Sequence, residues 1–420
     1  MRILMISALE VWALAGQGGA ASLYKTLEAY GRRGHQVDFV SATVGANHQF
    51  GAPPQPPPAI EGVAYYLFHL PSLIDARLRL PAPVEKAQQK LRFALLFPLL
   101  ASRRAERLLR RQRYDLLYGY EVNGVLAQRL VRRRHALPLV ARFQGTVMRP
   151  YLSQPLNLLR KYEEVVALKT PADLYLMTDD GTQGDEVLRR LNPASIAKTR
   201  FWRNGLDLEY VRPPTSREVT AARSRLRLAA EDFVLVTAVR LDRWKRVDRA
   251  VDAVARLRDR GVAARLLVVG DGQERANLEA HSRRLGVSDR VSFVGAVPQA
   301  EVRRYLWAAD VFLSLNELSN VGNPLLEAMA AGRCILTIDE GATRQLIRDD
   351  ETGVLLPAGE PRLIAEALAG LAGDPARRKR LAQAARDFAK RSFWSWEQRL
   401  DAELEAVEAL VAGAAASADV

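Results

Sequence analysis

The chain has 420 residues, 48% of them hydrophobic, one cysteine and a net charge of +13. That length exceeds one ordinary core and predicts two domains of about 200 residues each. The hydrophobic content excludes global disorder, and the lone cysteine, Cys334, excludes an intramolecular disulfide and fits a reducing compartment. In chain order, Arg2–Ser7 reads as a strand, followed by the Gly-rich loop Gly16-Gln17-Gly18-Gly19, a helix over Ala20–Arg33 and a strand over Gln36–Ser41: a βαβ unit with glycines at its first turn. Ala52–Pro58 is a Pro-rich loop. Residues 84–113 read as a helix bent near Pro98, with a dense run of arginines at its end. Strands follow at Leu116–Tyr120, Leu139–Phe143, Leu174–Thr178 and Thr199–Trp202.

The second half repeats the pattern. Strands are expected at Phe233–Val239, Ala264–Val269, Val291–Val294, Val311–Leu315 and Cys334–Ile338, with helices at Asp248–Arg260, before Ala309 and at Pro324–Ala331. Alternating strands and helices predict parallel sheets covered on both faces, an α/β doubly wound fold in each half. The halves are expected to divide as 1–203 and 204–390, with 391–420 a helix returning to the first domain and ending in a flexible tail. Such sheets bind ligands at the carboxyl ends of their strands, so a crevice between the halves is the expected active site.

Four loops in and before the second half carry chemistry. Arg240 and Lys245 follow a strand, where a diphosphate would meet a bidentate guanidinium and a mobile ammonium. Gly270-Asp271-Gly272 ends the next strand and allows close backbone approach. Ser319-Asn320-Val321-Gly322-Asn323 leads through Pro324 into a helix whose first N–H groups suit an anion. Glu327, about one turn into that helix, would accept hydrogen bonds from a ribose diol. Asn204-Gly205-Leu206-Asp207 forms a turn at the junction. Cys334 reads as a buried, inert thiol. No Asp-x-Asp occurs, and the five histidines lack metal-ligand spacing.

These pieces, in order, resemble family 4 of the retaining glycosyltransferases, which have the GT-B fold of two Rossmann-like domains facing a central cleft. The matching segments are Gly18-Gly19, Asn204-Gly205-Leu206-Asp207, Arg240 with Lys245, Gly270-Asp271-Gly272, Phe293-Val294-Gly295 and Leu326-Glu327-Ala328-Met329-Ala330-Ala331-Gly332. Glu351-Thr352-Gly353-Val354-Leu355 and Phe393-Trp394-Ser395-Trp396-Glu397 complete the set. The resemblance implies a hexosyltransferase-type enzyme moving a sugar, with retention, from a nucleotide diphosphate sugar to a lipid-linked or cell-surface glycan. A nucleotide-sugar epimerase of the same fold and an inactive sugar-nucleotide-binding protein are the alternatives.

Within that resemblance Arg240 and Lys245 hold the diphosphate, Glu327 holds the ribose, and Gly18, Gly19, Val294 and Asn204 line substrate. No metal or other cofactor is expected. Two positions depart from the family: the Glu usual eight residues before the ribose Glu is Ser319, with Glu317 two residues out of register, and the usual first-domain His is Gln144. The acidic residues Glu397, Asp401, Glu403 and Glu405 of the final helix are expected to meet the basic first half.

The charge is lopsided. Residues 1–200 hold 28 Lys+Arg against 16 Asp+Glu, a net +12, whereas residues 201–420 hold 33 against 32. An anionic partner is therefore expected for the first half alone. The arginines at 103, 104, 107, 110, 111 and 113, with Arg129, Arg132, Arg133 and Arg134, point to an anionic membrane, with Phe93, Leu95, Leu96 and Phe97 seated in its interface. No nucleic-acid module is recognisable. No segment reaches the ~18 apolar residues of a membrane span, and Ile3–Ile6 is too short for a signal peptide. A cytoplasmic protein, peripheral on the inner face of the membrane, is expected.

Overall fold

The computed structural model describes residues 1–9, 21–43, 57–74, 81–132, 134–153, 155–208, 212–318 and 320–418. The chain forms two compact units: Met1–Asp179 with Gly184–Arg203 and Glu397–Val420, and Asp180–Gln183 with Asn204–Trp396.

The first unit is built on a seven-stranded parallel sheet of β1 (Arg2–Ser7), β2 (Gln36–Thr43), β3 (Val63–His69), β4 (Leu116–Tyr120), β5 (Leu139–Phe143), β6 (Leu174–Thr178) and β7 (Thr199–Trp202). Its spatial order is β3-β2-β1-β4-β5-β6-β7. Successive residues of β1 serve opposite faces, as strand geometry requires. Leu4 and Ile6 join the core with Phe97 and Val125, while Ile3 and Met5 join the core with Leu27 and Leu404.

The Arg-rich helical run is continuous but carries a π turn. Helix Ala82–Leu91 passes into a π segment, Arg92–Leu96, and then into helix Phe97–Leu109. Pro98 has no N–H to donate one turn back, and the wider π turn lies just before it. Phe97 is buried and Phe93 and Leu96 pack against the core, which corrects the expectation that these three face an interface; of that group only Leu95 is exposed.

The final helix, Trp396–Ala418, packs Leu404 and Val407 onto the sheet. Its acidic residues do not share one role. Asp401 meets Arg33 at 3.2 Å and Glu408 meets His35 at 2.9 Å. Glu397 and Glu405 are exposed. Glu403 is fully buried, where one carboxylate oxygen faces Arg142 at 2.5 Å and Arg399 at 3.0 Å, and the other accepts from the Tyr118 hydroxyl at 2.6 Å. Burial alone would raise the Glu403 pKa; the two guanidinium groups override it and hold the carboxylate below its ordinary range.

The second unit carries a six-stranded parallel sheet of β8 (Phe233–Ala238), β9 (Ala264–Val269), β10 (Val291–Gly295), β11 (Val311–Ser314), β12 (Cys334–Ile338) and β13 (Val354–Leu356), in the order β10-β9-β8-β11-β12-β13. β8 again alternates, with Phe233 and Leu235 in one core and Val234, Val236 and Ala238 in the other. Cys334 is buried in β12, and burial pushes its thiol up to about 12, which keeps it an unreactive thiol. Among the described residues no helix is long and apolar enough to cross a membrane.

The buried charges give the first unit a testable dependence. Glu403→Ala leaves Arg142 and Arg399 as uncompensated buried cations, at a cost of about 3–5 kcal/mol. Urea unfolding followed by near-UV circular dichroism is expected to show that loss in the first unit. Glu405→Ala, on the exposed side of the same helix, stays within about 0.5 kcal/mol of the parent. Equal effects from the two substitutions would rule out the buried cluster as the cause.

Candidate active site

In the second sheet β8 pairs with β9 on one side and β11 on the other. The chain leaves β8 toward β9 and returns on the far side at β11, so the loops after β8 and β11 diverge and open a crevice at the carboxyl ends of these strands. Residues 239–246 form one wall, and residues 315–318 and 320–323 belong to the other. They touch where the Glu317 N–H donates to the Trp244 carbonyl at 3.0 Å.

Arg240 and Lys245 both lie in the first wall. The Arg240 side chain is 57% exposed and its Nε donates to Asp242. Lys245 ends the short helix Arg243–Lys245, and its Nζ sits 4.1 Å from the centre of the Trp244 ring. Burial pulls the Lys245 pKa down to about 8; Asp180 and Asp242 oppose the shift and Arg240 adds to it. An ammonium poised this way gains most from an arriving anion.

Arg243 is exposed, whereas Arg246 is half-buried. Arg246 adopts a left-handed backbone, φ 49°, and pairs with Asp248 at 2.9 Å and with Glu317. Arg249 joins it on Glu317 at 3.0 Å. The carboxylate nearest to the family's missing Glu is thus held by two guanidinium groups.

In the second wall, Gly322 caps helix Asn323–Ala330. Leu325 and Leu326 turn their N–H groups back to the Gly322 carbonyl, and Pro324 has none. The anion-binding capacity of this turn therefore rests on the N–H groups of Gly322 and Asn323. Asn320 and Val321 are buried. The Asn320 amide donates to the Glu340 carbonyl, and the Val321 N–H donates to the Asp180 carbonyl at 3.0 Å. Asn320 pins the loop through its side chain and Val321 through its main-chain N–H.

Glu327 is buried near the start of the same helix and accepts from Gln299 Nε2 at 2.5 Å. Burial, with the charge of Asp207 adding and the Gln299 bond opposing, pushes its carboxyl up to about 8. The side chain expected to be ionised is mostly protonated at neutral pH when no ligand is present. Gln299 had no signal in the sequence: it stands 28 residues away and opens another helix, Gln299–Ala308.

The glycine motifs have packing reasons of their own. A Cβ on Gly270 (φ 128°) would lie 1.9 Å from the Val239 carbonyl oxygen, and one on Gly272 would lie 2.6 Å from that of Leu241. Their absence lets the loop after β9 lie against the loop that carries Arg240, joined by the Leu241 N–H to Asp271 at 2.9 Å. Val294 packs partly against the core. Asn204 donates to the Asn323 side chain at 3.1 Å and so braces the capped helix end. At Gly205 a Cβ would meet Trp396 at 2.4 Å; the next residue, Leu206, bridges to Ser395, bringing together two motifs far apart in sequence.

In the first unit Gln144 follows β5 within a polar network. Its side chain donates to Ser22 at 2.5 Å and to Tyr120, and accepts from Thr178 at 3.1 Å. Its N–H donates to Glu121 at 2.7 Å. Glu121 itself sits at φ 64°, a strained conformation of the kind that clusters at functional sites. Gly18, Gly19 and Ser319 lie outside the described residues.

The model of the group 1 glycosyl transferases matches residues 218–388, and that of the glycosyl transferase 4-like domain matches residues 17–179. A D-inositol 3-phosphate glycosyltransferase of Kribbella flavida is 30% identical over 69% of this chain and 70% of its own length. A phosphatidyl-myo-inositol mannosyltransferase of Mycobacterium leprae is 26% identical over 77% of this chain and 80% of its own. In fold the chain is similar to sucrose-phosphate synthase from Thermosynechococcus elongatus, with a TM-score of 0.74 at 21% identity, covering 98% of this chain and 99% of that one. It is also similar to Anabaena HepE in complex with UDP and glucose, with a TM-score of 0.68 at 18% identity over 96% and 99%. The chain belongs to the group 1 glycosyl transferases of family 4, with the GT-B fold, and is a glycosyltransferase that uses a nucleotide-sugar donor.

Proposed function

We propose that this enzyme transfers a hexose, with retention and without a metal, from a nucleoside diphosphate sugar to a lipid-linked or cell-surface glycan intermediate. The observation that carries the donor half is the meeting of the two loops after β8 and β11. One supplies Arg240 and the poised Lys245; the other leads into the helix that buries Glu327. Cations at the strand end suit a diphosphate, and a carboxylate deeper in the same crevice suits a ribose diol. HepE, of the same fold, is described with UDP and glucose. A relative named for phosphatidyl-myo-inositol supports a lipid acceptor.

On this reading the leaving diphosphate gains charge as the anomeric carbon becomes oxocarbenium-like. Arg240 and Lys245 stabilise that charge in place of a metal. The departing oxygen then accepts the proton of the incoming hydroxyl on the same face of the sugar, so no protein nucleophile is needed. Gln144, held by Ser22, Tyr120 and Thr178, takes the place of the family's usual His as a neutral positioning group.

If Arg240 and Lys245 act on the transition state, removing either lowers turnover more than donor affinity. Single-turnover kinetics on Arg240→Ala and Lys245→Ala are expected to show about 2.7–4 kcal/mol of added barrier each. The double substitution falls short of the sum. Arg243→Ala stays near the parent; equal damage from it would reduce the segment to general basicity.

The shifted groups also set a pH profile for binding of a nucleoside diphosphate. Below about pH 8 Glu327 is protonated, so ribose binding must remove that proton and affinity climbs with pH. Above about pH 8 Lys245 is neutral, so diphosphate binding must supply a proton and affinity falls. Calorimetry with UDP above about pH 7, where the terminal phosphate is already fully charged, is expected to give a maximum near pH 8. Glu327→Gln flattens the rising limb and Lys245→Met the falling one. Glu327→Ala weakens binding by about 1.5–3 kcal/mol. A flat profile would remove both residues from the nucleotide site.

Transfer is expected to persist in excess chelator. Complete loss, restored by a divalent cation, would replace the two-cation mechanism with a metal-assisted one.

A further inference from the structure

We infer that one edge of the first unit is a docking surface for an anionic lipid bilayer. The long helical run of residues 82–109 exposes Leu91 (46%), Leu95 (46%) and Leu99 (48%), four residues apart. In a plain α-helix that spacing drifts around the axis. The π segment Arg92–Leu96 winds more residues into its turn and keeps the three leucines on one edge. The same spacing then continues with exposed Arg103 and Arg107, followed by exposed Arg110 and Arg111. The exposed side chains of the run are thus apolar at its start and cationic toward its end.

A second element extends the apolar part. In helix Pro155–Arg160, Leu156 is 79% and Leu159 69% exposed. The end of this helix lies beside the start of the leucine edge: Lys90 Nζ donates to the Arg160 carbonyl, and in the next helix, Tyr162–Leu168, it is 3.1 Å from Glu163 and 4.9 Å from the centre of the Tyr162 ring. At the other end Arg134 pairs with Glu106 at 2.8 Å and adds its own exposed guanidinium to the basic part.

Large aliphatic side chains held in water at this density mark a contact surface. Charge selects the occupant. Leucines seated at the acyl boundary, with arginines beside them at headgroup level, match an anionic membrane interface. A second copy of this chain would bring like-charged arginine rows together. The inference needs no particular acceptor and so stands apart from the donor site.

The test is flotation of the intact protein with phosphatidylcholine vesicles, with and without phosphatidylglycerol. Binding is expected only with the anionic lipid and is expected to weaken with salt. Leu95→Glu/Leu99→Glu is expected to lower partitioning more than about tenfold, and Arg103→Glu/Arg107→Glu to do so most strongly at low salt. UDP affinity is unchanged in both, which separates this surface from the nucleotide site. Leu95→Cys carrying an environment-sensitive dye supplies a second readout, because buried Cys334 does not compete for label. Its emission is expected to shift to the blue on anionic vesicles alone. Equal flotation on neutral vesicles, unchanged flotation of the glutamate variants, or a dye shift that follows protein concentration without lipid would each overturn the inference, the last in favour of self-association.

Discussion

A parallel sheet built with right-handed crossovers is covered by helices on both faces only if the winding direction reverses partway, which leaves its first strand inside. In both units that rule places the reversal of strand order beside the first strand, between β1 and β4 and between β8 and β11. Consecutive loops on either side of the reversal run to opposite faces, so a crevice opens there without any cavity being cut into the core. The chemistry of the second unit depends on this. Arg240 and Lys245 lead away on one side, and the loop to Glu327 leads away on the other.

The crevice is prepared for charge by burial as much as by the charges themselves. Lys245 and Glu327 are shifted in opposite directions from their ordinary values, and for both the largest cause is desolvation. Each therefore rests partly in its neutral form until a ligand stabilises the charge, an anion for Lys245 and hydroxyl donors for Glu327. A fully solvated lysine and glutamate would be charged in advance and would gain less from binding. The neighbouring pairs have another effect. Arg246 and Arg249 both pair with Glu317, so that carboxylate is already engaged by two guanidinium groups.

The first unit solves a different problem, an acidic final helix against a sheet that ends in Arg142. Glu403 enters the core only because Arg142, Arg399 and Tyr118 surround it there. Such a cluster specifies the seating of the helix, since a shift by one residue would bury a charge without partners. Asp401 and Glu408 add exposed contacts that contribute little individually.

Strand positions were legible in the sequence because a buried parallel strand is a short apolar run between polar loops: Leu139–Phe143, Leu174–Thr178 and Ala264–Val269 stand as read. β3 escaped although Val63–Phe68 is an apolar run; it is an edge strand of half-exposed residues that follows the Pro-rich loop. β13 escaped because three residues are too few to carry a period. The family and its donor-site motifs were legible because phosphate and ribose recognition needs particular side chains at strand ends, in a fixed order along the chain. Only the tertiary structure decided which glycines serve packing, as Gly270 and Gly205 do, since that depends on a backbone brought close from elsewhere. It also decided that Glu327 is held by Gln299 and that Glu403, not Glu405, is the buried acid. Sequence fixes the charge and polarity of a side chain; the environment that sets its protonation and its partners comes from residues distant in the chain, and exists only once they are packed.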